Sequence, residues 1–172
     1  MVGPAPRWGR WENANLTDEE KQLCDTALWK AMDVVMKEPR TNETWGLIHA
    51  DLRPSNVIRG NDGRLTVIDF DDAGYSWYLY DYASSLSFIE HEPYAPDLAK
   101  AWVKGYQRVA GSFTDEELRI MSALSMIRRM QMLGWTTSHR EDALPDGLAA
   151  QQAPGSVMCA KNYLEDPLWL LH

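Results

Sequence analysis

The residues best able to do chemistry lie close together in one stretch, GLIHADLRPSNVIRGNDGRLTVIDFDD, from Gly46 to Asp72. His49, Asp51 and Asn56 follow the spacing H-x-D-x-x-x-x-N, and Asp69 closes an apolar run thirteen positions after Asn56. A carboxylate on a tight loop can accept the proton of an attacking hydroxyl. An amide oxygen and a second carboxylate a short distance on can hold a magnesium ion against phosphate oxygens. Asp51 is placed for the first task, Asn56 and Asp69 for the second. Phosphoryl transfer asks for little else from protein side chains, because positioning and charge stabilisation carry most of it.

The surrounding residues supply what must position them. Trp45, Leu47 and Ile48 read as a short buried strand entering the loop, and Pro54 stops the loop from continuing as helix. Val57 and Ile58 resume an apolar run, Asn61-Asp62-Gly63 turns it, and Leu65, Val67 and Ile68 return it. The pattern predicts a β-hairpin with Asn56 at one end and Asp69 at the other, so that both oxygen ligands face one ion. A surface hairpin with ordinary turn residues is the plainer alternative, but it gives no reason for the loop spacing.

This segment resembles the aminoglycoside phosphotransferase and choline kinase-like superfamily, whose C-lobes carry a loop like HGDLHPGN followed by a strand like IDFDDAG. The text DDAGYSWYLYDYASSL resembles the helix start that follows in these enzymes, most of all in the homoserine kinase-like branch. The likeness runs from about residue 11 to residue 140 and is strongest from 46 to 86. It implies Asp51 as catalytic base, Asn56 and Asp69 as magnesium ligands, His49 as a brace for the loop, and Asp81 as the anchor of the next helix. It also implies ATP and Mg2+ as cofactors and a small-molecule hydroxyl, of an aminoglycoside or amino alcohol, as acceptor. Arg53 stands where many members carry His. It either touches phosphate or faces solvent, and solvent is the expectation.

The remaining acidic and aromatic residues leave alternatives open. Asp71, Asp72, Glu90 and Glu92 form an acidic neighbourhood that binds a cation or is simply solvated. Trp77 and Tyr78 line an acceptor pocket or pack as structure. Trp29 and Trp102 fall on apolar helical stripes and are expected in the core, as is the stripe Met121, Met126, Met130 and Met132. His91 and His172 carry no partner pattern and are expected to be exposed, while His139 and Arg140 complement a helix C-terminus.

Along the chain, residues 1–16 read as a linker and 17–172 as one domain, long enough at 172 residues to bury roughly 70% of its unfolded surface. Thr17-Asp18-Glu19-Glu20 and Thr114-Asp115-Glu116-Glu117 are capping boxes that open two helices. The first holds Leu23, Ala27, Met32, Val35 and Met36 inside; the second runs through Met121, Leu124, Ile127, Met130 and Leu133. Asp81 caps a short helix holding Tyr82, Leu86 and Ile89. A further helix spans about 95–109, residues 145–154 are loose, and a last helix covers about 156–165. The fold class is therefore α+β, mostly α: a kinase-like C-lobe wrapped around a small hairpin.

No Gly-rich phosphate loop precedes Gly46, and Lys21, Lys30 and Lys37 all fall on one predicted helix. The expectation is that the N-terminal β-lobe is absent, removed with half the nucleotide site, so that a missing lobe or partner chain completes it. Two readings follow: the C-lobe of an ATP-dependent phosphotransferase, or an inactive stand-alone C-lobe that binds a ligand or protein. A metal-dependent phosphatase or nuclease fits less well, since no histidine cluster supplies a two-metal site. The net charge of −8 argues against nucleic acid and anionic membranes as partners. It suits a cationic acceptor, or serves solubility alone. No apolar run matches a bilayer span or a signal core. Cys24 and Cys159 lie far apart without metal spacing, as expected of reduced thiols in a cytoplasmic protein.

Overall fold

The computed structural model describes residues 8–139 and 144–172; Arg140 and residues 1–7 of the expected linker lie outside the described residues. Helix α1 (Asp18–Val35) opens at Thr17, whose hydroxyl accepts from the Glu20 amide while the Glu20 carboxylate accepts from the Thr17 amide. Cys24, Ala27, Leu28, Ala31 and Val35 form its buried stripe, at the three-and-four spacing that keeps side chains on one face. Trp29 and Met36 lie off that stripe and are exposed, which corrects the expectation for both.

Strand β1 (Trp45–Ile48) alternates rather than being buried throughout, with Ile48 inside and Leu47 in solvent. Strands β2 (Val57–Arg59) and β3 (Leu65–Val67) form the expected hairpin, Val57 facing Val67, with Gly63 at φ +80° in the turn. Strand β4 (Gly74–Trp77), not foreseen from the sequence, pairs antiparallel with β1 so that Ile48 faces Gly74 and Trp45 faces Trp77. The β1–β4 pair thus clamps both ends of the excursion that carries Asp51, Asn56 and Asp69.

Helix α2 (Tyr80–Ser85) is capped by Leu79 without a side-chain bond. Asp81 is inside the helix, not its cap, and Leu86 and Ile89 lie beyond its end. Helix α3 (Ala95–Ala110) packs Ala95 and Ala99 against Tyr82, Leu86, Met121 and Leu170, with Trp102 partly buried beside them. Helix α4 (Asp115–Ser138) begins with the second capping box. It is buried without a break from Ile120 to Gly134, so it is the central helix, enclosed on every side where a surface helix would show only a buried stripe, with Ser122, Ser125, Arg128, Arg129 and Gln131 among its buried residues. The four methionines are in its core as expected.

Helix α5 (Asp146–Glu165) runs through residues expected to be loose and continues past Pro154. A proline inside a helix loses one backbone bond. Packing of Ala153, Val157, Cys159, Ala160 and Tyr163 into the main core with α1 and α4 outweighs that loss here. The expected linker is likewise corrected for its described part. Trp11 and Ala14 belong to the core, and the hydroxyls of Ser138 and Thr137 donate to the Trp8 and Arg10 carbonyls. No helix among the described residues is long and apolar enough to cross a membrane.

Candidate active site

The loop after β1 is built on α2. The Asp81 carboxylate accepts the His49 amide at 3.0 Å and the Ala50 amide at 2.8 Å, and the Ser84 hydroxyl accepts the Leu52 amide at 3.0 Å. Asp81 and Ser84 are three residues apart and so share one helix face. Ala50 is held at φ +65°, and Asp69 and Phe88 also take positive φ, at 65° and 74°. All three border the site, where strain is retained when the surroundings over-determine the backbone.

His49 is buried beneath the loop. Its Nε2 lies 2.9 Å from the Ile68 carbonyl, and its Nδ1 accepts the Asp51 amide at 3.3 Å. Those partners assign the proton to Nε2. The ring therefore ties the loop to the residue before Asp69, while Phe70 lies 4.6 Å from it, centroid to centroid.

Asp51 is almost fully enclosed, and both carboxylate oxygens are engaged. Arg128 Nη2 donates to Oδ1 at 2.7 Å; Arg53 Nε and Asn56 Nδ2 donate to Oδ2 at 3.1 and 3.0 Å. Arg53 is therefore paired with Asp51 rather than turned to solvent. Asn56 Nδ2 also donates to the Asp51 carbonyl at 2.8 Å, which fixes the amide and leaves its Oδ1 without a hydrogen bond among the described residues. Asp69 is exposed and makes no hydrogen bond or ion pair there either.

These two unengaged oxygen donors suit a hard cation such as Mg2+, which takes one or two protein oxygens and completes its shell with water and phosphate. Among the described residues no group of three or more His, Cys, Asp or Glu could hold a metal unaided.

Asp51, Asp69, Asp72 and Arg53 open onto a cavity of about 610 Å³, walled by Trp45, Trp77, Tyr80, Phe88 and Trp135. Trp45 and Trp77 meet edge to face at 4.8 Å, and the Arg40 guanidinium lies 4.3 Å from the Trp45 ring centre and 5.2 Å from that of Trp77. Of the open alternatives, Trp77 and Asp72 line this cavity. Asp71 does not, and Tyr78 lies on a separate cleft of about 160 Å³, its hydroxyl donating to the Asn42 carbonyl at 3.3 Å.

Glu90 leaves the acidic neighbourhood altogether. It is fully buried and accepts from Arg129 Nη1 at 2.8 Å. His91, expected to be exposed, is partly buried against the same arginine, its Nδ1 3.2 Å from Nη1. His172 is exposed as expected, its Nδ1 2.7 Å from Asp166 Oδ2.

Arg128 is the participant that motif reading missed. The signal was two consecutive arginines inside the apolar text MIRRMQML, where a buried cation demands a partner. Its three donors go to Ser87 Oγ, the Tyr80 hydroxyl and Asp51. Tyr80 donates onward to Gln131 Oε1 at 2.6 Å, and burial pushes its phenol up, so it remains a donor.

A helical body, two nested strand pairs and this loop define a kinase-like fold. A family model for the phosphotransferase enzyme family matches residues 4–120, and the chain belongs to that family. Amicoumacin kinase of Bacillus subtilis (strain 168) is 32% identical over 91 residues, 46% of this chain and 27% of that protein. A microcompartment-associated aminopropanol kinase superposes with a TM-score of 0.84 at 31% identity, covering 99% of this chain and 54% of that one. The amicoumacin kinase hAmiN, solved with AMP-PNP, Ca2+ and Ami, shares the fold with a TM-score of 0.61 at 20% identity over 94% of this chain and 53% of its own. The chain spans about half the length of these solved structures.

Proposed function

We propose that this chain carries the acceptor-binding and metal-binding part of an ATP-dependent phosphotransferase that places the γ-phosphate on a hydroxyl of a small amino alcohol. The observation that carries the reading is the fixed Asp51 carboxylate opening onto an aromatic cavity, with the unengaged oxygens of Asn56 and Asp69 on the same loop and hairpin. Asp51 accepts the hydroxyl proton. Asn56 and Asp69 hold magnesium, which when bound neutralises charge on the phosphate oxygens. His49 and Asp81 keep the loop in register, and the Nη atoms of Arg53 are available to phosphate.

Asp72 suits an ammonium group by charge, beside the apolar Trp45–Trp77 wall on which the Arg40 guanidinium already packs. The likeness to an aminopropanol kinase over nearly the whole chain supports this acceptor class over a large aminoglycoside.

The test is calorimetric titration with ATP and Mg2+, with and without aminopropanol, on the chain and its Asp69→Ala variant, followed by detection of phosphorylated product. Nucleotide binding lost in the variant, with product formed by the parent, is the expected result. Binding of aminopropanol without nucleotide binding or product would mark a ligand-binding module instead. No binding of either would overturn the reading.

A further inference from the structure

One face of α4 carries Arg128, Gln131, Met132 and Trp135, spaced i, i+3, i+4 and i+7, and all four line the cavity that Asp51 borders. Only Arg128 among them reaches the carboxylate, through a 2.7 Å bond with both side chains nearly out of solvent. A contact of that length between ionised groups is among the stronger hydrogen bonds in proteins. The arginine has no freedom to swing: Nε is held by Ser87 Oγ at 2.8 Å and Nη1 by the Tyr80 hydroxyl at 3.2 Å. Its backbone sits in the buried stretch of the central helix.

The other two donors to Asp51, Arg53 and Asn56, come from the same short loop and move with it. Among the described residues, Arg128 alone fixes the carboxylate relative to the wall on which an acceptor would lie. It does so through a flat fork whose three donors serve three partners at once, a geometry lysine cannot reproduce.

We infer that Arg128 is the positioning residue of the site, setting the direction of the Asp51 carboxylate from the acceptor-side wall through Arg128 Nη2–Asp51 Oδ1. It touches no reacting atom and acts through Asp51; the inference rests on Asp51 being the base. With the link cut, the carboxylate turns on its loop and loses alignment with the acceptor hydroxyl, while the rest of the acceptor wall stays in place. A misplacement of about 1 Å in such a group costs on the order of a hundredfold in rate.

The experiment compares Arg128→Lys and Arg128→Ala with the parent and with Asp51→Asn, using ATP, Mg2+ and aminopropanol. The expected result is a fall in kcat of about a hundredfold with KM for aminopropanol nearly unchanged, partial recovery of Arg128→Ala by added guanidinium, and no recovery of Asp51→Asn by the same addition. A crystal structure of Arg128→Lys supplies a readout independent of turnover, and is expected to show the Asp51 carboxylate rotated from its present direction. Near-parental kcat in both Arg128 variants beside an inactive Asp51→Asn would overturn the inference alone. An active Asp51→Asn would instead sink the base assignment. If Arg128→Ala does not fold, Arg128→Lys decides, and an unmoved carboxylate in its structure rejects the positioning role.

Discussion

In the proposed function Asp51 is the base, and its surroundings predict how a substitution there would act. Asn in its place keeps the size but cannot take up a proton, and its amide nitrogen would face a donor where a carboxylate oxygen now accepts. Turnover by Asp51→Asn is expected to fall by about 10²–10⁴-fold, and the thermal midpoint to fall as well because the buried Arg128 loses its anionic partner, as steady-state kinetics beside a melting curve would show. The buried Arg129–Glu90 pair has a large effect on folding alone. Arg129 also donates to Ser156 Oγ and the Gln152 carbonyl, so Arg129→Met strands Glu90 without a partner and should cost about 3–5 kcal/mol in urea denaturation. Adding Glu90→Gln should recover much of that loss, since the stranded charge is then gone. His91 shares this network. Burial, and then the Arg129 guanidinium, hold its imidazole below the usual 6.5, against the opposing pull of a Gln151 side-chain hydrogen bond and of Glu92 and Glu90. The unfolded chain therefore binds a proton more readily, and stability declines as pH falls below about 6.5. His91→Asn should flatten that decline, read as urea midpoints between neutral and mildly acid pH.

Elements set these residues in place by close approach. Helix α5 can lie against Arg129 and His91 because position 155 is glycine: a Cβ there would come within 2.6 Å of His91 Cγ and 2.7 Å of Arg129 Nη2. Arg129 is fully enclosed and held by Ser156, Glu90 and the Gln152 carbonyl, so it cannot easily move aside. Gly155→Ala should therefore destabilise by about 1 kcal/mol or more, although alanine is the better helix former; chemical denaturation would register the sign. At this scale much was legible beforehand. The two capping boxes fixed the starts of α1 and α4, and the Asn-Asp-Gly turn fixed the hairpin. Strand β4 was not legible, because four residues of mixed polarity become a strand only when β1 lies alongside. Helix α5 was hidden by Pro154, a local stop signal that burial of its apolar face overrides.

At the scale of the molecule, one core joins the N-terminal segment, α1, α4 and α5. Trp11 is inside it, and the segment reaches α4 because Gly9 and Gly134 meet backbone to backbone, Gly9 at φ +100°. Trp11→Ala should cost about 3–5 kcal/mol and lower the midpoint of a single cooperative transition measured by circular dichroism, where a linker residue would leave it unchanged. The motif from His49 to Asp69 sufficed to identify the phosphotransferase family and the proposed roles of Asp51, Asn56 and Asp69, because a tight loop brings near neighbours in sequence into one site. Arg128, seventy-seven positions from Asp51, the burial of Glu90 and His91, and the choice of Trp77 and Asp72 over Tyr78 and Asp71 for the cavity wall depended on how α4 packs against the loop and β4. Spacing carries information only over the reach of a turn or a hairpin; contacts between distant segments exist only after the chain has packed.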